Sequence, residues 1–333
     1  MTPNTIPSVH SNVLAIDCEA EADHIAARMV EIVGRDLRRR GVVIAMSGGI
    51  DSSVCAALAV RAFGAARVYG LMLPEQDSSS FSLERATVLA RHLGIVYGVE
   101  DIAPALQALG CYRWRADAIR VLFPEYGPGW KNKIIIAGGK DGSFNYFKLV
   151  VQTPDGKLHE ERLPLREYQQ IVAATNYKQR VRKNVEYFHA DRLNYAVIGT
   201  PNRLEYDQGF FVKNGDGAAD IKPIAHLYKT QVYAMARHLG LPDEICNASP
   251  TTDTYSLPQG QDEFYFALHY DKMDIALWAF NHSVPEDELA LFLKVAPAQA
   301  ALVYNDIVAK RRATRYLHAA PVLVESVEQI SHK

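Results

Sequence analysis

A short segment of the chain combines glycine, hydroxyl and carboxylate residues in a spacing that suits phosphate binding. Residues 47–53 read Ser-Gly-Gly-Ile-Asp-Ser-Ser. Because glycine lets the backbone approach a ligand closely, Gly48 and Gly49 would direct N–H groups at an anion, helped by the N-terminus of a following helix. Hydroxyl donors come from three further side chains: Ser47, Ser52 and Ser53. We therefore predict an anion-binding loop.

Asp51 stands inside this loop, although a carboxylate repels phosphate. A Mg²⁺ ion between Asp51 and phosphate oxygens removes the conflict, because Mg²⁺ commonly binds one or two carboxylates together with phosphates. The loop is not a Walker A sequence, since no Gly-Lys-Ser/Thr follows, and it does not fit GxGxxG. An ordinary strand-to-helix turn is the alternative explanation of Ser-Gly-Gly, and the flanking strand, helix and acid together disfavour it.

The residues around the loop alternate between strand and helix patterns. Short β-branched apolar runs, typical of buried parallel strands, occupy residues 42–46, 67–73, 95–99 and 194–199. Helical patterns occupy residues 19–40, 54–63, 83–93, 165–193 and 228–239. This alternation predicts an α/β fold with a doubly wound parallel sheet.

The alternation breaks after about residue 120. Residues 133–136, 144–152 and 157–163 read as strands, and Pro154-Asp155-Gly156 is a strong turn between the last two. We interpret residues from about 114 to 165 as an inserted β-meander within a single catalytic domain covering residues 1–330.

Composition excludes several classes of protein. The 333 residues are 48% hydrophobic and 22% charged, and the net charge of -2 gives no bulk electrostatic reason to expect a nucleic-acid partner. Four scattered cysteines form no CxxC pair and no zinc-finger spacing. Because no signal-peptide pattern and no apolar run of about 20 residues occurs, we expect a cytoplasmic protein without a membrane partner.

The loop at residues 47–53 resembles the SGGxDS loop of the N-type ATP pyrophosphatases. That superfamily, whose fold is Rossmann-like and of the adenine nucleotide alpha hydrolase type, includes NAD synthetases, GMP synthetases, asparagine synthetases and tRNA-thiolating enzymes. Its members activate a carboxyl or carbonyl group as an adenylate and then displace AMP with a nitrogen or sulfur nucleophile. The loop alone does not choose among them.

Further segments are similar to motifs of the ammonia-dependent NAD synthetases. In chain order they are residues 176–182, 199–205, 209–220, 228–231, 250–253, 262–263, 270–274 and 310–311. The resemblance implies ATP-dependent amidation of deamido-NAD with ammonia, through an adenylate, giving NAD, AMP and pyrophosphate. It also implies a homodimer with no fused glutaminase domain, so that ammonia arrives free or from a separate protein.

The resemblance also implies site residues. Those expected to bind ATP are Ser47, Gly48, Gly49, Asp51, Ser52, Ser53, Thr200, Lys229 and Thr251. Those expected to act in catalysis are Arg180, Asp220 and Lys229, with Asp220 beside the incoming ammonia. Those expected to bind the acceptor are Asn176, Lys213, Asp220 and Lys310. Asp51 and Glu205 are expected to bind Mg²⁺ together. Asp216 is not expected to react, and it is instead a candidate for orienting a turn.

The chain departs from the family pattern on the acceptor side. Val212 replaces a threonine, Ala218 replaces a glycine, Pro201 stiffens a loop, and the β insert is unusual. Two alternatives therefore remain open: an amide ligase of the same superfamily that acts on another small carboxylate, and a catalytically silent nucleotide-binding module. For an active enzyme, we expect Asp51→Ala to abolish turnover and leave the fold intact.

Overall fold

The computed structural model describes residues 8–10, 12–137, 146–248, 255–258, 260, 265 and 268–327. Thr251 and the segments 250–253 and 262–263, which the sequence assigned to phosphate binding and to family motifs, lie outside the described residues.

Four parallel strands form the central sheet. They are β1 (Val42–Ala45), β2 (Val68–Met72), β3 (Val96–Val99) and β7 (Ala196–Ile198), in the order β3-β2-β1-β7. β1 pairs with β2 on one side and with β7 on the other. The predicted α/β parallel sheet is therefore confirmed, and the switch of direction at β1 places a ligand crevice at its C-terminal end.

Helices cover both faces of the sheet. The side chains of β1 point alternately to the two faces, so apolar residues on each face need a covering helix. Val42 and Ile44 pack with α1 (Cys18–Glu31), α2 (Ile50–Phe63) and α8 (Lys229–His238) in the main hydrophobic core. Val43 packs instead beside Val197 and Ala190 of the long helix α6 (Leu165–Leu193). The remaining helices before α6 are α3 (Ser80–His92), α4 (Ala103–Ala108) and α5 (Cys111–Arg120).

The insert is a three-stranded antiparallel meander. Its strands are β4 (Lys131–Ala137), β5 (Tyr146–Gln152) and β6 (Leu158–Arg162), in the order β4-β5-β6. Leu149 and Val151 of β5 pack with Ile119 of α5 and Ile171 of α6 in a separate core. The β structure thus begins at Lys131, whereas Trp114, where the sequence placed the start of the insert, lies inside α5.

The C-terminal third is helical and has its own core. Besides α8, the helices that follow β7 are α7 (Arg203–Gln208), α9 (Asp243–Cys246), α10 (Tyr270–Asn281), α11 (Glu286–Leu293) and α12 (Pro297–His318), and of these α9 packs in the sheet core. Leu204 of α7 joins the apolar faces of α10, α11 and α12 in this core. Within the described ranges, no helix is long and apolar enough to cross a membrane.

Two helical regions differ from the sequence prediction. The first helix becomes a π-helical turn at Ile32–Asp36 instead of continuing as an α-helix to residue 40. The sequence analysis named no helix at α5, whose buried face includes the charged side chain of Arg115. A buried ion pair to Asp77 makes that burial possible.

Candidate active site

A cavity of about 660 Å³ lies at the C-terminal edge of the parallel sheet, a volume typical of small-molecule sites. The anion-binding loop forms one wall and α6 forms another. β4, β5 and the end of α12 complete the enclosure. The cavity therefore joins the loop predicted from sequence to the insert and to the C-terminal helices.

The loop at residues 47–53 has the geometry of a strand-to-helix anion site. Gly48 has a positive φ of 74°, and Gly49 caps α2 with an extended backbone. A Cβ on Gly48 would overlap the carbonyl oxygen of Ser82 in α3. Glycine is required at this position both by the left-handed backbone and by the close approach of α3.

The three serines of the loop have different surroundings. The hydroxyls of Ser47 and Ser52 lie 3.2 Å apart, and both residues line the cavity. Ser53 is fully buried, and its hydroxyl donates to the carbonyl oxygen of Gly49 at 2.8 Å. Ser47 and Ser52 are thus available to a ligand, whereas Ser53 stabilises the first turn of α2.

Asp51 is held between a cation and an amide at the cavity floor. Its carboxylate forms an ion pair with Lys229 and accepts a hydrogen bond from Asn202 Nδ2 at 3.0 Å. The backbone N–H of Asn202 donates to the Glu205 carboxylate at 3.3 Å. Asn202 therefore links the two carboxylates that the resemblance assigned to the metal.

Lys229 is almost completely buried, with a side-chain exposure of 2%. Burial opposes its charged form, but the nearby carboxylates of Asp51 and Glu205 outweigh burial and raise the pKa of Lys229. Since its folded pKa lies above its ordinary value, Lys229 is a fixed positive charge at neutral pH. The pKa of the Cys55 thiol is raised by burial and by the same two carboxylates, so this cysteine is not a thiolate nucleophile.

α6 presents a row of polar residues to the cavity. Asn176, Gln179, Lys183 and Glu186 recur at intervals of three or four, which places them on one helix face. Arg180 also lines the cavity, and its Nε donates to the carbonyl oxygen of Lys213 at 3.2 Å. The predicted residues Asn176 and Arg180 are therefore brought to the same cavity as the anion loop.

Sequence reasoning missed the buried pair of Lys183 and Glu186. The two side chains meet at 2.7 Å and both line the cavity. Burial raises the pKa of Glu186, and the positive charge of Lys183 opposes that shift. Their spacing could have indicated this pair from the sequence. Lys183 and Glu186 follow Asn176 by seven and ten residues, which places all three on the same face of α6.

Three further predicted residues line the cavity: Thr200, Lys213 and Lys310. The Nζ of Lys213 donates to the carbonyl oxygens of Tyr316 and Ala319 at 2.7 and 3.0 Å, and so caps the end of α12. The Nζ of Lys310 donates to the Asp306 carboxylate at 2.6 Å. Burial lowers the pKa of Lys310.

Asp220 is not brought to the cavity. Its side chain is exposed, its Oδ2 accepts from the backbone N–H of Val197 at 2.7 Å, and its Oδ1 accepts from the Tyr187 hydroxyl. Asp216 does line the cavity and accepts from the N–H of Val212 at 2.7 Å, as expected for a residue that orients the turn. The predicted contact of Asp220 with ammonia therefore has no support from its position.

The donor chemistry at the cavity floor suits a Mg²⁺ ion shared with phosphate. Asp51 and Glu205 both line the cavity, close to the hydroxyls of the anion loop. No cluster of three or more metal-ligating side chains occurs in the part of the chain that the structure describes. Two carboxylates fit Mg²⁺ nonetheless, because this ion commonly takes its other ligands from water and from a nucleotide.

The insert contributes to the cavity as well. Ile136 of β4 and both Tyr146 and Phe147 of β5 line it, together with Tyr168 of α6 and Tyr255. The sequence analysis assigned the insert to the acceptor side of the site, and these residues bring it to the cavity wall.

The chain is similar to known proteins of one family. The profile of the NAD synthase family matches residues 25–117 and 149–316. The NH(3)-dependent NAD(+) synthetase of Rhizobium meliloti (strain 1021) is 57% identical over 321 residues, which cover 96% of each chain. The relationship therefore extends over nearly the whole length of both proteins.

Two solved structures share the fold. One is an NMN synthetase from Francisella tularensis, with a TM-score of 0.62, 20% identity and coverage of 93% of this chain and 99% of that chain. The other is an NH3-dependent NAD synthetase from Campylobacter jejuni, with a TM-score of 0.60, 22% identity and coverage of 93% and 100%.

Proposed function

Because this chain belongs to the NAD synthase family, we propose that it is an ammonia-dependent NAD synthetase. ATP adenylates the nicotinate carboxylate of deamido-NAD, and ammonia displaces AMP to give NAD. The observation that carries the proposal is a single cavity shared by the Asp51–Lys229 ion pair, the anion loop and the Asn176–Arg180 face of α6. Relatives of this name that match over nearly the full length support it.

The first step transfers AMP to the acceptor. A carboxylate oxygen attacks the α-phosphorus of ATP, and the bond to pyrophosphate breaks. In this proposal the backbone N–H of Gly49 and the hydroxyls of Ser47 and Ser52, which line the cavity, hold the departing pyrophosphate. Lys229 supplies a fixed positive charge beside it, which stabilises the charge that develops in the transition state.

The second step forms the amide. The ammonia nitrogen attacks the carbonyl carbon of the adenylate, the bond to AMP breaks, and a proton leaves the nitrogen. We assign charge stabilisation on the acceptor side to Arg180, and binding of the acceptor to Asn176 and Lys310, which line the cavity. Asp220, which holds the end of β7, acts in this scheme as a positioning residue.

Mg²⁺ belongs to the proposal as a partner of ATP. Asp51 and Glu205 would hold it, and when bound it neutralises charge on the phosphates. Lys229 would then share Asp51 with the ion. The contact of Thr251 with phosphate, the homodimer and a separate ammonia-supplying protein remain predictions that rest on the resemblance. The cytoplasmic location remains a prediction that rests on the absence of a signal-peptide pattern and of a long apolar run in the sequence.

The test is release of pyrophosphate from ATP in the presence of Mg²⁺ and ammonium, with and without deamido-NAD. We expect release that depends on deamido-NAD, with equal amounts of NAD and AMP appearing. Release only with another carboxylate, such as nicotinate mononucleotide, would favour the alternative amide ligase. An absence of release with every carboxylate would favour a silent nucleotide-binding module.

A further inference from the structure

A segment that the family profile does not match contributes part of the cavity wall. The NAD synthase profile leaves residues 118–148 unmatched. Three residues of that segment line the cavity: Ile136, Tyr146 and Phe147. Ile136 and Phe147 are direct partners in the β4–β5 register, so their side chains lie on the same face of the meander.

This part of the wall is aromatic and is held firmly by its neighbours. The rings of Phe147 and Tyr168 stack with centroids 4.3 Å apart and planes at 17°. The guanidinium of Arg162 lies over the ring of Tyr146, 5.1 Å from its centroid. Together with Ile136, these rings form an apolar wall of the kind on which a planar heteroaromatic base stacks.

The insert also positions a fourth aromatic residue of the wall, Tyr255. Ser256 Oγ accepts from the backbone N–H of Asn132 at 2.8 Å, and Leu257 donates its N–H to the Asn132 carbonyl oxygen at 3.1 Å. Asn132 is fully buried and donates through Nδ2 to the Tyr126 hydroxyl at 2.7 Å. The neighbouring Tyr255 is thereby fixed in the cavity wall.

The aromatic wall lies far from the place where ATP is expected. The end of β2, which borders the anion loop, contacts α6 at Arg182, whose Nε donates to the Leu73 carbonyl oxygen at 3.1 Å. Tyr168 precedes Arg182 by fourteen positions on the same helix, which corresponds to about 21 Å along the helix axis. A ring bound against Phe147 and Tyr168 therefore lies too far from the anion loop to belong to the ATP molecule that binds there.

Resting on the proposed function, the geometry points to the insert as the binding site for the distal base of the dinucleotide acceptor. The nicotinate carboxylate must reach the α-phosphorus of ATP near the anion loop. The half of deamido-NAD that extends to the insert is then the adenine half, which does not react. Phe147 and Tyr168 are the specificity-determining residues, because their rings favour a dinucleotide over a mononucleotide.

The test uses Phe147→Leu, which keeps apolar volume in the insert core but removes the ring. Phe123→Leu is the matched control, since Phe123 packs in the same core and does not line the cavity. Tyr168→Leu removes the other ring of the stack. Calorimetry on the full chain would measure the affinities for deamido-NAD and for ATP separately, and thermal unfolding would verify that each variant is folded.

We expect Phe147→Leu and Tyr168→Leu to weaken deamido-NAD binding about tenfold, the loss typical of one stacking partner. Affinity for ATP should stay at the wild-type level, and Phe123→Leu should change neither. The affinity for nicotinate mononucleotide, measured in the same way, should not fall in Phe147→Leu, because that acceptor lacks the distal base.

Other results would overturn the inference. Unchanged affinity for deamido-NAD in both ring variants would show that the wall does not hold the acceptor. Equal losses with ATP, or with nicotinate mononucleotide, would assign the rings to a different group. Wild-type protein that binds deamido-NAD without amidating it would contradict only the proposed function, and the binding comparison would still decide the role of the insert.

Discussion

At the scale of single residues, the site depends on charges that would be unfavourable alone. Asp51 lies in a loop built for anions, and Lys229 is buried where a free ammonium would be strongly destabilised. Their ion pair, supported by Asn202, makes both positions tolerable. A ligand that brings phosphates and Mg²⁺ therefore enters a site whose charges are already arranged before it binds.

Asp51→Asn is expected to reduce kcat by at least about 100-fold, because it removes the charge that would bind Mg²⁺. As expected from the sequence for Asp51→Ala, the fold should stay intact, but its stability should decrease. Since Lys229 would lose its ion-pair partner in a buried position, we expect a loss of roughly 2 kcal/mol in the free energy of unfolding. Steady-state kinetics and denaturant unfolding measure the two effects.

The double variant Asp51→Asn/Lys229→Met separates the two effects. Removal of both charges should restore part of the lost stability without restoring turnover. Near-normal activity of Asp51→Asn would exclude Asp51 as a metal ligand.

Gly48→Ala tests the close approach of the loop to α3. The new Cβ would meet the Ser82 carbonyl oxygen, and the alanine would also have to adopt a left-handed backbone. Gly94→Ala is the control, because Gly94 has a φ of 64° but a Cβ added there would meet nothing within 4 Å. The control should lose about 1 kcal/mol, and Gly48→Ala roughly 2 kcal/mol more. Only Gly48→Ala should raise the KM for ATP, and equal effects of both variants would contradict the role of the contact.

At the scale of elements, a buried ion network joins the end of β2 to two helices. Lys178 of α6 contacts Glu75 at 2.9 Å and also pairs with Asp77. Arg115 of α5 pairs with Asp77, and the guanidinium and the carboxylate are less than 10% exposed, at 7% and 4%. The network positions the segment that follows β2 against α6, beside the cavity.

Lys178→Met should destabilise the protein by about 3–5 kcal/mol, because it leaves buried carboxylates with less compensating charge. Denaturant unfolding of the variant measures this loss. Lys157→Met is the control, since Lys157 pairs with Asp155 in an exposed turn, and it should cause no measurable change. A small effect of Lys178→Met would show that Arg115 alone compensates both carboxylates.

At the scale of the whole molecule, three hydrophobic cores meet around the cavity. The sheet core, the insert core and the C-terminal helical core each contribute residues to its wall. Asp274 of α10 connects two of these parts, since its Oδ2 accepts from the N–H of Thr230 in α8 at 2.7 Å. Burial raises the pKa of Asp274 to about 7, although the α8 N–H groups favour its charged form.

The raised pKa of Asp274 predicts a pH dependence of global stability. Between its ordinary pKa of 3.8 and the folded value of about 7, the unfolded chain ionises the carboxyl while the folded protein keeps its proton. The free energy of unfolding of the wild type, measured relative to that of Asp274→Asn, should therefore fall as pH rises from 4 to 7. The decrease should reach up to about 1.4 kcal/mol per pH unit. It should be constant above pH 7. Denaturant unfolding of both proteins across this range tests the sign, and a difference independent of pH would refute the shift.

Local patterns in the sequence were sufficient for the parallel sheet and the anion loop. β1, the anion loop and α2 follow one another directly in the chain. The apolar run of the strand, the glycine pair of the loop and the pattern of the helix were therefore all visible within about twenty residues. The helical pattern predicted at residues 165–193 coincides with the observed bounds of α6, which ends at Asn194 in a left-handed cap. Family membership was equally readable, since its motifs are short segments in a fixed order.

Only the tertiary structure decided which distant residues meet. Lys213 and Tyr316 are 103 positions apart, and no local pattern indicates that one caps the helix of the other. Asp220 matched a motif, but β7 satisfies its carboxylate through Val197. The rings of the insert reach the cavity because β5 packs on α6, a long-range contact that depends on the packing of the whole core. Local propensity determines elements, whereas the site arises from their packing.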